Sequence, residues 1–129
     1  MFLNNSYLNG LKEKSKTDAT LAAIISTLNE QADKLLSAEP TPFQITGPRM
    51  LKNCQQILNR VVTLSLVFLL TREKSYNNRA LEELQAAANF PHWNKDHFLD
   101  TAELCTTFGI AYDWLYADTD SLFILHPQQ

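Results

Sequence analysis

"PRMLKNCQQILNRVVTLSLVFLLTREKSYNNRALEELQAAANFP", residues 48–91, decides the fold of this chain. Leu51, Cys54, Ile57, Leu58, Val61 and Val62 recur at spacings of three and four, the pattern of a helix with one apolar face. Pro48 suits the first turn of that helix, where a missing N–H would have no partner anyway. From Val61 to Leu70 the pattern becomes apolar all round, as expected of a helix surrounded by other helices. That run is shorter than the roughly 20 residues a bilayer-spanning helix needs. "TREKS", residues 71–75, offers a short polar turn. Tyr76, Ala80, Leu84, Ala87 and Ala88 then carry a further helix whose charged positions are Arg79, Glu82 and Glu83. The two helices predict an antiparallel hairpin closed by a short loop. Pro91 ends it, because proline disfavours the helical conformation at Phe90.

Upstream, Leu21, Ile24, Ile25, Leu28, Ala32, Leu35 and Leu36 predict an amphipathic helix from Asp18 to Leu36, with Thr17 or Asp18 as N-cap. "SAEPTPFQITGP", residues 37–48, breaks the helical pattern with three prolines and a glycine, and reads as an ordered loop or a linker. Downstream, a helix from about His97 to Tyr116 places Phe98, Ala102, Cys105, Phe108, Gly109, Tyr112, Leu115 and Tyr116 on one broad apolar face, capped by Asn94 or Asp96. The expected organisation is residues 1–46 as N-terminal helix and Pro-rich linker, 47–116 as helical hairpins, and 117–129 as a tail.

Composition agrees with an all-α protein. Hydrophobic residues make up 45% of 129 and glycines number three, a balance that suits helices better than a turn-rich β fold. The length supports one domain. A net charge of −3 with scattered Lys and Arg leaves no basic face for phosphates, so a dedicated nucleic-acid binder is not expected. Cys54 and Cys105 read as small buried hydrophobes, with a disulfide between them left open and no zinc-type spacing. "MFLNNSYLNGLKEKSK" has no basic segment followed by an apolar one, so it does not read as a secretory signal.

The most selected-looking segment is "HWNKDHFLDTAE", residues 92–103. Its His97, Asp100 and Glu103 fall at i, i+3 and i+6, which drifts round a helix and lacks a clean metal-binding pair, so no metal is expected. Asp96 and Asp100 read as exposed acids favoured by the helix dipole. Trp93 has two readings: a loop tryptophan filling a gap, or a ring stacked on a sugar beside the amide of Asn94, which can donate to and accept from hydroxyls. The aromatic stripe Tyr112, Trp114 and Tyr116 reads as core, and Asp113 as a carboxylate bonded within it.

Residues 47–116, and above all "FPHWNKDHFLDTAE" and "YDWLY", resemble the N-terminal helical domain of heparinase II/III-like and related alginate lyases. The resemblance implies an (α/α) toroid of antiparallel hairpins, here incomplete, and uronate β-elimination as the parent chemistry. It also implies a periplasmic or secreted setting. Elimination needs a base together with a group that neutralises the carboxylate. The family supplies these from an Asn-Asn-His or Asn-Asn-Trp motif and a tyrosine, both located after the "DWLY" helix. "NNR" at Asn77–Arg79 precedes that helix and does not take the role. The resemblance therefore implies a fragment without catalytic residues or cofactor, inactive alone, whose Trp93, Asn94, His97 and Asp100 line a substrate rim for an acidic polysaccharide or oligosaccharide. The competing expectation is a helical scaffold that docks a partner through its last long helix. Neither reading involves nucleic acid or membrane. An uncovered apolar face on that helix predicts a homo-oligomer.

Overall fold

The reversal at Arg72 and Glu73 organises the molecule. Arg72 ends the preceding helix in the left-handed region at φ 62, and its N–H donates to the Phe68 carbonyl. It is the only non-glycine with positive φ among the described residues. That conformation costs an L-residue roughly 1–2 kcal/mol, and the guanidinium offsets part of it by lying 5.6 Å from the centroid of the Phe68 ring. Thr71 Oγ1 donates to the Val67 carbonyl and accepts from the Glu73 N–H, completing the turn.

The computed structural model describes residues 5–44, 50–93 and 98–115. It contains α1 (Asn5–Ser15), α2 (Ala19–Leu36), α3 (Leu51–Thr71), α4 (Lys74–Ala88) and α5 (Phe98–Leu115), with no strand among the described residues. The all-α class expected from the sequence holds. α1 is a helix that the apolar spacing before Asp18 does not predict. α2 starts as expected: Asp18 Oδ1 accepts from the N–H groups of Thr20 and Leu21 at 3.0 and 3.1 Å, a cap whose removal typically costs ~1 kcal/mol.

Shared cores and hydrogen bonds set the helix directions. Phe68 and Leu69, late in α3, share a core with Tyr76 and Ala80, early in α4. Cys54 and Ile57, early in α3, meet Leu84 and Ala87, late in α4. The hairpin is antiparallel. α5 runs parallel to α3, since Leu104 and Ala111 join the group around Cys54 while Trp114 and Leu115 join the group around Phe68. α2 runs parallel to α4: Asp33 meets Tyr76, the Leu35 carbonyl meets Arg79, and the Thr41 N–H beyond the helix meets Glu83. Thus α2 and α4 point one way and α3 and α5 the other, with α3 packed against α2, α4 and α5. α1 adds Leu8 to the core beside Ala32 of α2. α3 is the centre. Burying a Leu such as Leu64, which is 0% exposed, contributes roughly 2 kcal/mol.

α3 is also the described helix long and apolar enough to cross a membrane, because apolar residues continue on both sides of the run from Val61 to Leu70. The expectation that this run is too short is corrected on length alone. Its Cys54, Ile57, Val61, Leu64, Val67 and Phe68 are packed inside the protein.

Two further expectations are corrected. Cys105 is exposed, unlike Cys54, and both thiols are free. α5 turns Asp100, Leu104, Thr107, Ala111 and Trp114 inward, while Gly109 and Tyr112 of the expected face are exposed. Arg79 and Glu83 are buried at 2% and 0% exposure. The segment from Ser37 to Gln44 is an ordered loop: Asn53 Nδ2 donates to the Pro42 carbonyl, Gln56 Nε2 to Thr41 Oγ1, and Arg60 Nη1 to the Glu39 carbonyl. Pro48, Asn94, Asp96, His97 and Tyr116 lie outside the described residues, as does the tail at 117–129.

Candidate functional site

The predicted rim residues that are described gather where α3 begins, α4 ends and α5 begins. Met50 precedes α3 without a side-chain cap, leaving early N–H groups to find acceptors elsewhere. Its own N–H donates to Asp100 Oδ2 at 2.9 Å, from the first turn of α5. Asp100 is 0% exposed, so the reading of an exposed acid at a helix start is corrected: a carboxylate removed from water must be hydrogen-bonded, and this one ties α5 to α3.

Cys54 follows one turn into α3. Burial pushes its thiol up to about 11, and the negative charges of Asp100 and Glu103 push it in the same direction. Such a thiol stays protonated at neutral pH, which removes nucleophilic chemistry. Glu103 has one carboxylate oxygen buried without a hydrogen-bond partner among the described residues. Cys54, Asp100 and Glu103 do not form a metal-holding group, and no group of three or more His, Cys, Asp or Glu does so among the described residues.

Trp93 is half-buried. Its Nε1–H donates to the Ala87 carbonyl at 2.9 Å, the same oxygen that accepts the Phe90 N–H at the end of α4. Its own carbonyl accepts from Thr101 Oγ1 at 2.9 Å, and its ring lies 5.2 Å from Phe108. The indole thus joins α4 to α5. Phe43, from the Pro-rich loop, packs edge-on against Phe90 and His92, with centroids 5.4 and 5.1 Å away. Trp93 and Asp100 are therefore brought to one end of the bundle. Phe43 is missing from the residues that the sequence singles out, since nothing in "PTPF" marks it as an aromatic partner of His92. Of the aromatic stripe, Trp114 is buried, whereas Tyr112 is 48% exposed.

The opposite side of α5 forms a second feature. Leu99 is 55% exposed, Tyr112 is 48% exposed, and Cys105, Thr106 and Gly109 between them are exposed too. A Cβ built at Gly109 would meet nothing within 4 Å. Asp113 is the charged residue within this arc.

No protein-family model matches the chain, and no curated protein is significantly similar to it.

Proposed function

We propose that this chain is a helical scaffold that pairs with a second copy of itself through the exposed face of α5. The observation that carries this reading is the order of side chains along that face. In an antiparallel pairing about a twofold axis between Cys105 and Thr106, Tyr112 opposes Leu99 of the second copy, Gly109 opposes Ala102, and Cys105 opposes Thr106. Large residues meet at both ends and small ones at the centre, where helices approach most closely. A symmetric dimer requires a surface complementary to itself. Asp113 stands eight residues beyond Cys105, so the two aspartates would be separated by roughly 20 Å at 1.5 Å per residue.

The test is sedimentation equilibrium of the wild type beside Leu99→Glu and Tyr112→Glu. Both residues are exposed, so neither substitution disturbs the core of the single chain. The expected result is a wild-type dimer and two folded monomers. A wild type that stays monomeric across the concentration range overturns the proposal.

A second reading is supported by the alternating directions of α2 to α5, which successive hairpins round a toroid would share. It is supported as well by the resemblance of residues 47–116 to lyase helical domains. On this reading the end of the bundle that carries Trp93 and Asp100 meets an acidic oligosaccharide, with Asn94 and His97 added as candidates from the sequence alone. Saccharide-dependent shifts of the Trp93 indole and Asn94 amide signals are then expected, and their absence removes this reading without touching the first.

A further inference from the structure

Between α2 and α3 lies an open groove of about 310 Å³, lined by Gln31, Lys34 and Leu35 from one helix and Asn59, Arg60 and Thr63 from the other. Its chemistry is one-sided: two cations and no carboxylate. Gln31, Lys34, Asn59 and the Thr63 hydroxyl make no side-chain hydrogen bond or ion pair among the described residues. Leu35 supplies an apolar floor.

Arg60 is held in place from behind. Its Nη1 donates to the Glu39 carbonyl at 2.7 Å and to Glu83 Oε1 at 3.2 Å, while its Nε and Nη2 donors have no acceptor among the described residues. Glu83 cannot neutralise the surroundings alone, because it is shared with the Arg79 guanidinium. The groove itself is lined by two cations, Lys34 and Arg60, and the one carboxylate paired with Arg60 is divided between two guanidinium groups. A fixed guanidinium, a free ammonium, two amides and a hydroxyl around an apolar floor are what a small polar anion needs.

We propose that this groove binds a small ligand with an oxyanion head, carboxylate or phosphate, held by Lys34 and Arg60. Gln31, Asn59 and Thr63 take the hydrogen bonds of its neutral body, which lies on Leu35. The site is remote from α5 and does not depend on the pairing of two copies.

The experiment is an amide chemical-shift titration of the full chain at constant ionic strength, once with inorganic phosphate and once with gluconate, repeated on Lys34→Glu and Asn59→Ala. Lys34 and Asn59 are exposed, so both variants keep the fold. The expected result is saturable shifts at residues 31–35 and 59–63, with affinity reduced about tenfold or more in Lys34→Glu, where attraction becomes repulsion. Phosphate alone saturating assigns the head as phosphate, gluconate alone as carboxylate, and both as either oxyanion. No saturation by tens of millimolar, or equal affinity in Lys34→Glu, overturns the proposal.

Discussion

Arg79 and Glu83 stand one helical turn apart on α4, at 2% and 0% exposure, with Arg79 Nη2 2.9 Å from Glu83 Oε1. The contact pairs charges without hydrogen-bonding geometry, since Nη1 and Nη2 of Arg79 are both buried and lack a hydrogen-bond acceptor among the described residues. Glu83 also accepts the Thr41 N–H, and Arg79 Nε donates to the Leu35 carbonyl. One pair therefore joins α4 to the end of α2 and to the loop beyond it. Removing the carboxylate leaves a buried cation with no counter-charge. Glu83→Ala is expected to lower stability by about 3–5 kcal/mol, and Arg79→Met combined with Glu83→Leu by much less, because that double change removes the charge as well as its partner. Urea unfolding of both variants checks this, and equal losses would show that the uncompensated charge is not the source of the cost.

Tyr76 donates to Asp33 Oδ1, joining α4 to α2 near the same end of the hairpin. That hydrogen bond first, then burial and the charges of Asp33 and Glu73, push the phenol from 10.0 up to about 12. The folded value lies above the ordinary one, so this bond contributes fully below pH 10 and its contribution fades as pH rises towards 12. Tyr76→Phe is expected to cost about 1.5–3 kcal/mol at neutral pH, the range for a hydrogen bond to a charged group. The difference from wild type should shrink in alkali. Denaturation at a series of pH values reads it directly, and a difference independent of pH would contradict the assignment.

Much of the fold is legible in the sequence because it rests on periodicity and local chemistry. Asp18 precedes an apolar repeat and caps it. Pro91 stands where the hairpin ends. The errors fall where periodicity carries no directional information. α5 is apolar nearly all round, so spacing does not single out the residues facing α3, and it points Tyr112 inward in preference to Ala111 and Leu104. Arg79 and Glu83, spaced i and i+4, have the look of a surface ion pair. They are covered by α2 and the Pro-rich loop, a tertiary arrangement that local sequence does not encode. At the candidate rim, the grouping of Trp93 with Asp100 is readable. The partners that hold them, the Met50 N–H and the Ala87 carbonyl, are not, because backbone groups carry no sequence signature.

The Asp100 carboxylate links two observables at the start of α3, the Met50 N–H and the Cys54 thiol. Asp100→Ala should leave a buried N–H without an acceptor, at a cost of about 1–3 kcal/mol. Asp100→Asn keeps an acceptor of similar shape and should cost less. Both remove a negative charge that raises the Cys54 thiol and should bring its pKa down from about 11. The pH dependence of Cys54 alkylation, followed in a Cys105→Ser background, measures the shift. An unchanged profile in Asp100→Asn would mean that burial and Glu103, without Asp100, set the thiol.

The two cysteines also differ enough to report on association. Cys105 is exposed on α5 and Cys54 is 0% exposed within the core. A thiol reagent should titrate one equivalent in the folded protein and the second only on unfolding, because the buried thiol lacks both access and thiolate character. If α5 pairs antiparallel with its copy about the midpoint between Cys105 and Thr106, the two Cys105 side chains flank the axis. Mild oxidation should then yield a covalent dimer that disappears in Cys105→Ser and persists in Cys54→Ala. Disulfide formation demands Cα atoms within about 7 Å, so efficient cross-linking at micromolar protein would fix the register as well as the partner. Efficient cross-linking in Tyr112→Glu at the same concentration would point instead to random collision of an exposed thiol, and the proposed pairing would fall with it.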